Sequence, residues 1–437
     1  MPQIILVTGA TGYIASHLIP RLLAEGYQVR CLVRNPARLR GRAWYPKVEV
    51  VIGDVTQAAT LPDAMQAVSA AYYLIHNMSA GIDYHSQDVI SAHNFAQAAS
   101  LAGVEHIIYL GGLADQDEPH LSMHMRSRIE SGVALREAGV PVTEFRAGVI
   151  VGPGSVSFEM IRYFVEQFPL MVGPIWLRNR SQPIAATNVL DFLVAAITNP
   201  EARGKIIELG SLEKYTYLDV IQSYADVRGL KRLPVLLPYV PVWLMVFLID
   251  LLTPVARLYA TPLVLGLKND SLVLDRSLLS IFPEIELLDY PAAVRRALAD
   301  THPAKVERIW LDLDRDVLEA KHEGMFIDYR RIKLRAPTNI VFGALQKMAS
   351  AHQRIGLVSR FKLDFQDVDI LRLKVDQKIP GEAWLEWKLT PRAGGTLLEQ
   401  TVFFAPKGLP GFLAWYFLRP FHSWVFDKLI RRLEVQE

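Results

Sequence analysis

Eight residues near the start of the chain, Thr8-Gly9-Ala10-Thr11-Gly12-Tyr13-Ile14-Ala15, have the composition and spacing of a loop that holds a diphosphate. Apolar Ile4-Ile5-Leu6-Val7 runs into them, and apolar residues recur after them at Leu18, Ile19, Leu22 and Leu23, so the loop joins a buried strand to a helix. In that setting Gly9 allows a sharp turn and Gly12 lets the backbone approach a pyrophosphate. Ala15 takes the place of a third glycine, and the helix N-terminus offers its N–H groups to the anion.

The next strand-like run, Gln28-Val29-Arg30-Cys31-Leu32-Val33, ends at Arg34, with Arg38 one helical turn further. An acidic residue at this strand end would take the ribose hydroxyls of NAD, whereas a basic one accommodates a 2′-phosphate. No Asp or Glu stands there, so the pattern favours NADP(H) over NAD(H).

The elements that must position these residues follow from the rest of the chain. At 437 residues it has room for two or three domains. Its 47 basic and 45 acidic residues balance to a net charge of +2, which gives no bulk reason to expect a nucleic-acid partner. The single cysteine, Cys31, excludes an internal disulfide framework, fits a reducing compartment and lies in a strand-like run, so it reads as core. A start that goes straight into a strand is not of signal-peptide type, and a cytoplasmic location is expected. No metal site is expected: His120 and His124 are four apart, but no third ligand accompanies them. No Gly-x-Ser-x-Gly elbow occurs either.

Further strands are predicted over 48–52, leading into Gly53-Asp54-Val55, over 70–75, closing on His76-Asn77-Met78-Ser79, and over 106–110, closing on Gly111-Gly112. A helix through Val89, Phe95 and Ala98 separates the last two. Strands alternating with helices at this scale imply an α/β fold with a Rossmann-type doubly wound parallel sheet and ligands at the strand C-terminal ends.

The glycine run, Gly53-Asp54, Tyr72-Tyr73-Leu74-Ile75-His76, Tyr109-Leu110-Gly111-Gly112 and Arg146-Ala147-Gly148-Val149-Ile150-Val151-Gly152 together resemble an atypical, extended short-chain dehydrogenase/reductase. More narrowly, they resemble the NAD(P)-binding group related to NmrA-like regulators and to the nucleotide-binding accessory subunit of respiratory complex I. The resemblance spans 1–300. It implies cofactor contacts from Thr8, Gly9, Ala10, Thr11, Gly12, Tyr13, Ile14, Arg34, Asp54, Val55, Ile75, His76, Gly111 and Arg128, with Asp54 facing the adenine. Standard members carry Ser and then Tyr-x-x-x-Lys, in which Tyr moves the proton and Lys lowers its pKa and holds the ribose. Here Gly111 or Gly112 replaces Ser, His124 aligns with Tyr and Arg128 with Lys. Two readings follow: His124 is a proton donor titrating near neutrality with Arg128 as the ribose-binding cation, or His124, Arg126 and Arg128 are a solvated basic helix start in a domain that only holds a dinucleotide.

Residues 155–300 are expected to form the substrate lobe, with Phe158, Met160, Ile161, Phe164, Phe168, Leu170 and Met171 either walling an apolar ligand or filling the core. A helix through Val189, Leu190, Phe192 and Leu193 reads as scaffold. The stretch 233–267, apolar and broken by prolines, reads as broken helices that lie in a membrane interface through Tyr239, Trp243 and Tyr259, or that cover the hydrophobic pocket or the second domain.

A polar, charged linker is expected over 301–324, followed by a smaller α+β domain over 325–437. Its predicted order is a strand to Leu334, a helix from Thr338, period-two strands over 370–375, 383–389 and 397–404, and a closing helix from Gly411 to Leu433 with a kink at Pro420. This order, with Ile379-Pro380-Gly381-Glu382-Ala383-Trp384-Leu385-Glu386, resembles the START-like helix-grip class, which holds an apolar molecule between sheet and helix. The stretch 350–368 is shorter than that class usually carries. The whole implies an NADPH-dependent oxidoreductase acting on a hydrophobic carbonyl, enone or quinone-like small molecule. The alternative is a non-catalytic NADP(H)-binding regulatory protein, or an assembly protein in peripheral contact with the inner face of a membrane.

Overall fold

The computed structural model describes residues 3–76, 84–115, 118, 121–253, 255–307, 317–350 and 360–432. The chain divides into two compact units: Met1–Val165 with Leu170–Asp300 and Glu307–Trp310, and Glu166–Pro169 with Thr301–Val306 and Leu311–Glu437.

In the first unit the longer elements run β1 (Ile4–Thr8), α1 (Tyr13–Ala24), β2 (Gln28–Val33), β3 (Glu49–Ile52), β4 (Val68–Tyr73), α2 (Tyr84–Leu101), β5 (His106–Gly112), α3 (Met123–Arg136) and β6 (Val142–Ala147). There follow α4 (Val156–Gln167), β7 (Leu170–Pro174), α5 (Ala186–Ala195), β8 (Ile206–Leu209), α6 (Tyr217–Arg228), β9 (Leu233–Leu237), α7 (Val242–Leu252) and α8 (Arg257–Gly266). Among the described residues, seven strands form a parallel sheet in the order β8-β6-β5-β4-β1-β2-β3. Strand order reverses between β1 and β4, which places the ligand crevice at their C-terminal ends.

Successive strand residues feed opposite cores, as the two-residue side-chain period requires. Ile5, Val7, Tyr72 and Ile108 pack with Leu18, Ile19 and Leu22 of α1 on one face. Leu6, Tyr73, Ile107 and Tyr109 pack with Phe95 and Leu135 on the other. Cys31 is fully buried in the first of these cores, and burial pushes its thiol up to about 12. At the crevice the buried Thr8 hydroxyl donates to the Tyr72 carbonyl (2.9 Å) and accepts from the Leu74 N–H (3.1 Å), pinning the ends of β1 and β4 together.

One expectation is corrected in this unit. The first residues of 233–267 are not helical: β9 pairs in parallel with β7. Pro234 and Pro238 forbid a helix there but are compatible with a short two-stranded edge. The rest of the stretch forms α7 and α8.

In the second unit, β10 (Val317–His322), β11 (Met325–Leu334), α9 (Thr338–Ser350), β12 (Phe361–Gln366), β13 (Ile370–Val375), β14 (Gly381–Arg392) and β15 (Gly395–Pro406) precede α10 (Gly408–Arg431). Its described strands make an antiparallel sheet ordered β10-β11-β15-β14-β13-β12. β10 lies inside the stretch expected to be linker. Its charges hid a hairpin: Glu323 and Gly324 have φ of 42° and 84°, the two left-handed residues of a tight turn, and His322 pairs with Met325. Residues 308–316 of that stretch lie outside the described residues, as do 351–359 and Leu433. Helix α10 continues through Pro420. Trp387 donates to Gln400 (3.0 Å), whose amide donates to the Phe426 carbonyl (3.0 Å), tying sheet to helix.

Candidate active site

The glycine loop leaves β1 with Gly9 at φ +68°, where a Cβ would lie 2.4 Å from the Leu74 carbonyl oxygen. A side chain is therefore excluded both by conformation and by the neighbouring strand. The Gly12 N–H closes the turn onto the Gly9 carbonyl (2.7 Å). Helix α1 then begins with no side-chain cap and no acidic residue in its first turn, an N-terminus suited to an anion.

Around this loop is a cleft of about 560 Å³ lined by Gly9, Ala10, Thr11, Gly12, Arg34, Asp54, Val55, Ile75 and His76 of the expected residues, together with Leu32, Asn35, Arg38, Leu74 and Tyr259. Arg34 and Arg38 are both exposed on its wall. The Asp54 carboxylate accepts from the Thr56 N–H (3.0 Å) and hydroxyl (2.9 Å), which orients the turn after β3. Five of the expected residues do not line this cleft: Gly111 and Arg128 border a second cavity, and Thr8, Ile14 and Tyr13 lie elsewhere. Thr8 is buried beneath the loop, Ile14 packs against the core, and the Tyr13 ring lies against His17 with its hydroxyl near Gly152. The helix that begins at Tyr13 carries the Tyr13 and Ile14 side chains to these other contacts, and Thr8 belongs to β1. One contributor had no signal in the sequence: buried Arg42 donates to the Thr11 carbonyl (3.2 Å), bracing the loop from 31 positions away.

A second cavity, also about 560 Å³, opens at the end of β5. Gly111, Gly112, His124, Met125 and Arg128 line one side, and Met160, Ile161, Leu177, Tyr217, Val220 and Leu263 line the apolar remainder. A Cβ on Gly112 would approach the Met125 methyl to 2.6 Å, so no serine could stand there without displacing Met125. Of the expected aromatic wall, only Met160 and Ile161 reach this cavity. Phe158 and Met171 are core and Leu170 is exposed, because the helical and strand periods send them to other faces.

His124 and Arg128, one turn apart on α3, both face this cavity, whereas Arg126 is exposed. The solvated reading therefore fails for the first two. Arg128 donates to the Leu110 carbonyl and its guanidinium lies 5.3 Å from the Tyr109 ring centroid. The Tyr109 hydroxyl donates in turn to the Arg128 carbonyl (2.8 Å).

The expectation that His124 titrates near neutrality is corrected. Burial, then His76 and Arg128, push its pKa down to about 3, so the ring is neutral at physiological pH. His76 is lowered as well, chiefly by burial, with Asp88 opposing. His124 Nδ1 is 2.8 Å from His76 Nε2, and His76 Nδ1 is 2.8 Å from Asp88 Oδ2. Ser127 donates to the same Asp88 oxygen (2.6 Å). Asp88, 2% exposed, was not legible in the sequence. Asn77, Met78, Ser79 and His120 lie outside the described residues.

A family model described as NAD(P)H-binding matches residues 9–137, and one described as a protein of unknown function (DUF2867) matches 342–429. The chain is 34% identical over 231 residues to (4-alkanoyl-5-oxo-2,5-dihydrofuran-3-yl)methyl phosphate reductase of Streptomyces griseus subsp. griseus, covering 52% of this chain and 74% of that one. It is 24% identical over 235 residues to photosystem II assembly factor Ycf39 of Trieres chinensis, covering 52% and 69%. In fold it is similar to the NADPH-dependent quinone oxidoreductase QOR2 of Escherichia coli, solved with NADPH, with a TM-score of 0.54 and 20% identity over 67% of this chain and 99% of that one. Glycine loop, parallel sheet and the Streptomyces relative agree: the chain belongs to the NAD(P)-binding, Rossmann-type atypical short-chain dehydrogenase/reductase family.

Proposed function

We propose that the protein is an NADPH-dependent reductase of hydrophobic carbonyl, enone or quinone-like small molecules. The observation that carries this reading is the hydrogen bond from the cleft to the cavity: His76 lines the former, His124 the latter, and the two rings are joined at 2.8 Å. The glycine loop, Gly9 to Gly12, would hold the pyrophosphate, Arg34 with Arg38 the 2′-phosphate, and Asp54 with Val55 the adenine end. Ile75, His76, Gly111 and Arg128 would border the nicotinamide end. When bound, the reduced dinucleotide supplies a hydride. His124 would give the proton to the oxygen of the reduced substrate, and the apolar lobe would select for greasy ligands and exclude water. The names of the Streptomyces relative, a reductase, and of QOR2, a quinone oxidoreductase, agree with this class.

The test is NADPH consumption with a panel of lipophilic carbonyls, enones and quinones. Turnover with at least one class is expected, and tight NADPH binding without consumption by any would overturn the reading. Cofactor choice has its own test. A charge-assisted contact to phosphate contributes about 1.5–3 kcal/mol, so Arg34→Ala should weaken NADPH binding roughly tenfold or more while leaving NADH binding nearly unchanged, as read by fluorescence titration.

A second reading, an NADP(H)-binding assembly protein at a membrane surface, has one specific observation in its favour. Trp243, Phe247 and Leu251, spaced four apart on one face of α7, are 65%, 51% and 63% exposed, with Tyr239 just before them at 78%. No helix among the described residues is long and apolar enough to cross a membrane, so contact would be through this face. Flotation with liposomes, together with binding but no turnover, would select it.

For the C-terminal unit we infer a START-like helix-grip domain. Its antiparallel sheet faces the long α10, and a cavity of about 200 Å³ between them is lined by Trp384, Phe404, Trp415, Leu418, Val425 and Phe426. That lining suits an apolar ligand.

A further inference from the structure

We propose that Asp88 and His76 are positioning residues that fix the protonation of His124, so that the two histidines act as one proton store opening into the substrate cavity. The proposal rests on the reductase reading for its use but not for its geometry.

The three groups form an unbroken chain. Asp88 Oδ2 is 2.8 Å from His76 Nδ1, and His76 Nε2 is 2.8 Å from His124 Nδ1. A carboxylate only accepts, so His76 must carry its proton on Nδ1. Its Nε2 is then a lone pair, and His124 must donate to it from Nδ1. That leaves His124 Nε2 bare on the ring whose side chain lines the cavity. Ser127, donating to the same carboxylate oxygen (2.6 Å), holds Asp88 to helix α3, so the anchor and the ring it orients share one element. The opposite set of tautomers would put a lone pair of His76 against the carboxylate and is disfavoured by like polarity.

Charge placement decides where an added proton resides. Arg128 disfavours and Asp88 favours a cation on either ring, but only His76 is hydrogen-bonded to the Asp88 carboxylate (2.8 Å), and His124 would place the charge one residue further from it. The charged store is therefore His76 as imidazolium, donating from Nδ1 to Asp88 and from Nε2 to His124 Nδ1, with His124 neutral and carrying its proton on Nε2. Other ionisable groups on the cavity wall are Asp115, Glu118, Tyr217 and the ion-paired Arg180 and Asp270.

The step balances for a carbonyl. A C–H bond forms at the carbonyl carbon with the hydride of NADPH, and the C=O π pair moves to oxygen. An O–H bond forms with the Nε2 proton of His124, whose N–H pair stays on Nε2. The Nε2 proton of His76 passes to His124 Nδ1. The cation is thereby discharged and the resting tautomers are restored, and one proton from water refills the store.

The experiment combines two readouts on the full-length protein. Nitrogen-15 NMR of histidine-labelled protein with NADP⁺, assigned by difference from His124→Gln, should show His76 and His124 each protonated on Nδ1 and bare on Nε2. A neutral His76 ring that is protonated on Nε2 and bare on Nδ1 overturns the proposal whether or not the protein turns over. In Asp88→Asn, which keeps an acceptor but removes the charge, NADPH affinity should stay within about threefold of wild type. Its kcat should fall roughly thirtyfold or more, and the limb where rate falls with rising pH should move at least about one pH unit lower, since the cation on His76 has lost its partner. An unchanged pH profile in that variant also overturns the proposal. If the wild type consumes no NADPH with any substrate of the panel, the reductase reading fails, while the NMR result still decides the relay.

Discussion

Gly9→Val should abolish measurable NADPH binding and lower the melting temperature as well. At φ +68° a branched residue pays about 1–2 kcal/mol for the left-handed conformation alone. The larger cost is steric, because a Cβ would lie 2.4 Å from the Leu74 carbonyl oxygen and 2.9 Å from its carbon. Both are backbone atoms at the end of β4, so relief requires prising β1 from β4 at the crevice that defines the binding site. A fluorescence titration should show at least a hundredfold loss of affinity, and thermal unfolding should report the strain. Gly204→Val provides the control: its φ of +74° carries the same conformational penalty, but nothing lies within 4 Å of the added carbon. If both variants lost NADPH binding equally, close approach of the strands would not be the reason for glycine at position 9.

The second large effect is expected at Glu144, which is 1% exposed on β6. Its carboxylate accepts from Arg146 Nε (2.6 Å), two residues along the same face of the strand, and from Arg136 of α3. Glu144→Ala would leave the Arg146 guanidinium, 3% exposed, without its carboxylate. Removing one partner of a buried pair costs about 3–5 kcal/mol, so the urea midpoint should drop sharply while the slope stays the same. Gly132 belongs to the same arrangement, because a Cβ there would lie 2.4 Å from the Glu144 carboxylate. By contrast, Asp376→Ala removes the exposed pair with Lys362 and should shift stability by less than about 1 kcal/mol. Similar midpoints for the two variants would show that the buried network adds nothing to the fold.

These sites differ in how far they could be read in advance. The run Thr8 to Ala15 announces itself because turn, strand and helix are local, and the spacing of small residues states the constraint directly. Arg34 is legible for the same reason: strand length carries it to the crevice. Asp88 is not. It stands among polar residues of α2, 12 positions from His76 and 39 from Ser127, and only the packing of α2 against α3 brings the three together. The shift of His124 was equally hidden, since a histidine's pKa depends on burial and on charges that arrive from other elements. In the C-terminal unit, residues 317–322 looked like linker because charge dominates their composition, yet a strand needs only a partner, and the turn at Glu323-Gly324 provides one.

By itself, then, the order of residues determined the class of fold, the glycine cradle and its leaning toward a 2′-phosphate, because each depends on neighbours within a few tens of positions. Tertiary structure alone decided which ionisable side chains meet. It joined Asp88, His76 and His124 into one hydrogen-bonded chain, braced the cradle with Arg42, and made the His124 ring neutral at physiological pH. Such contacts depend on desolvation and on distances between separate elements, and neither is written in local sequence.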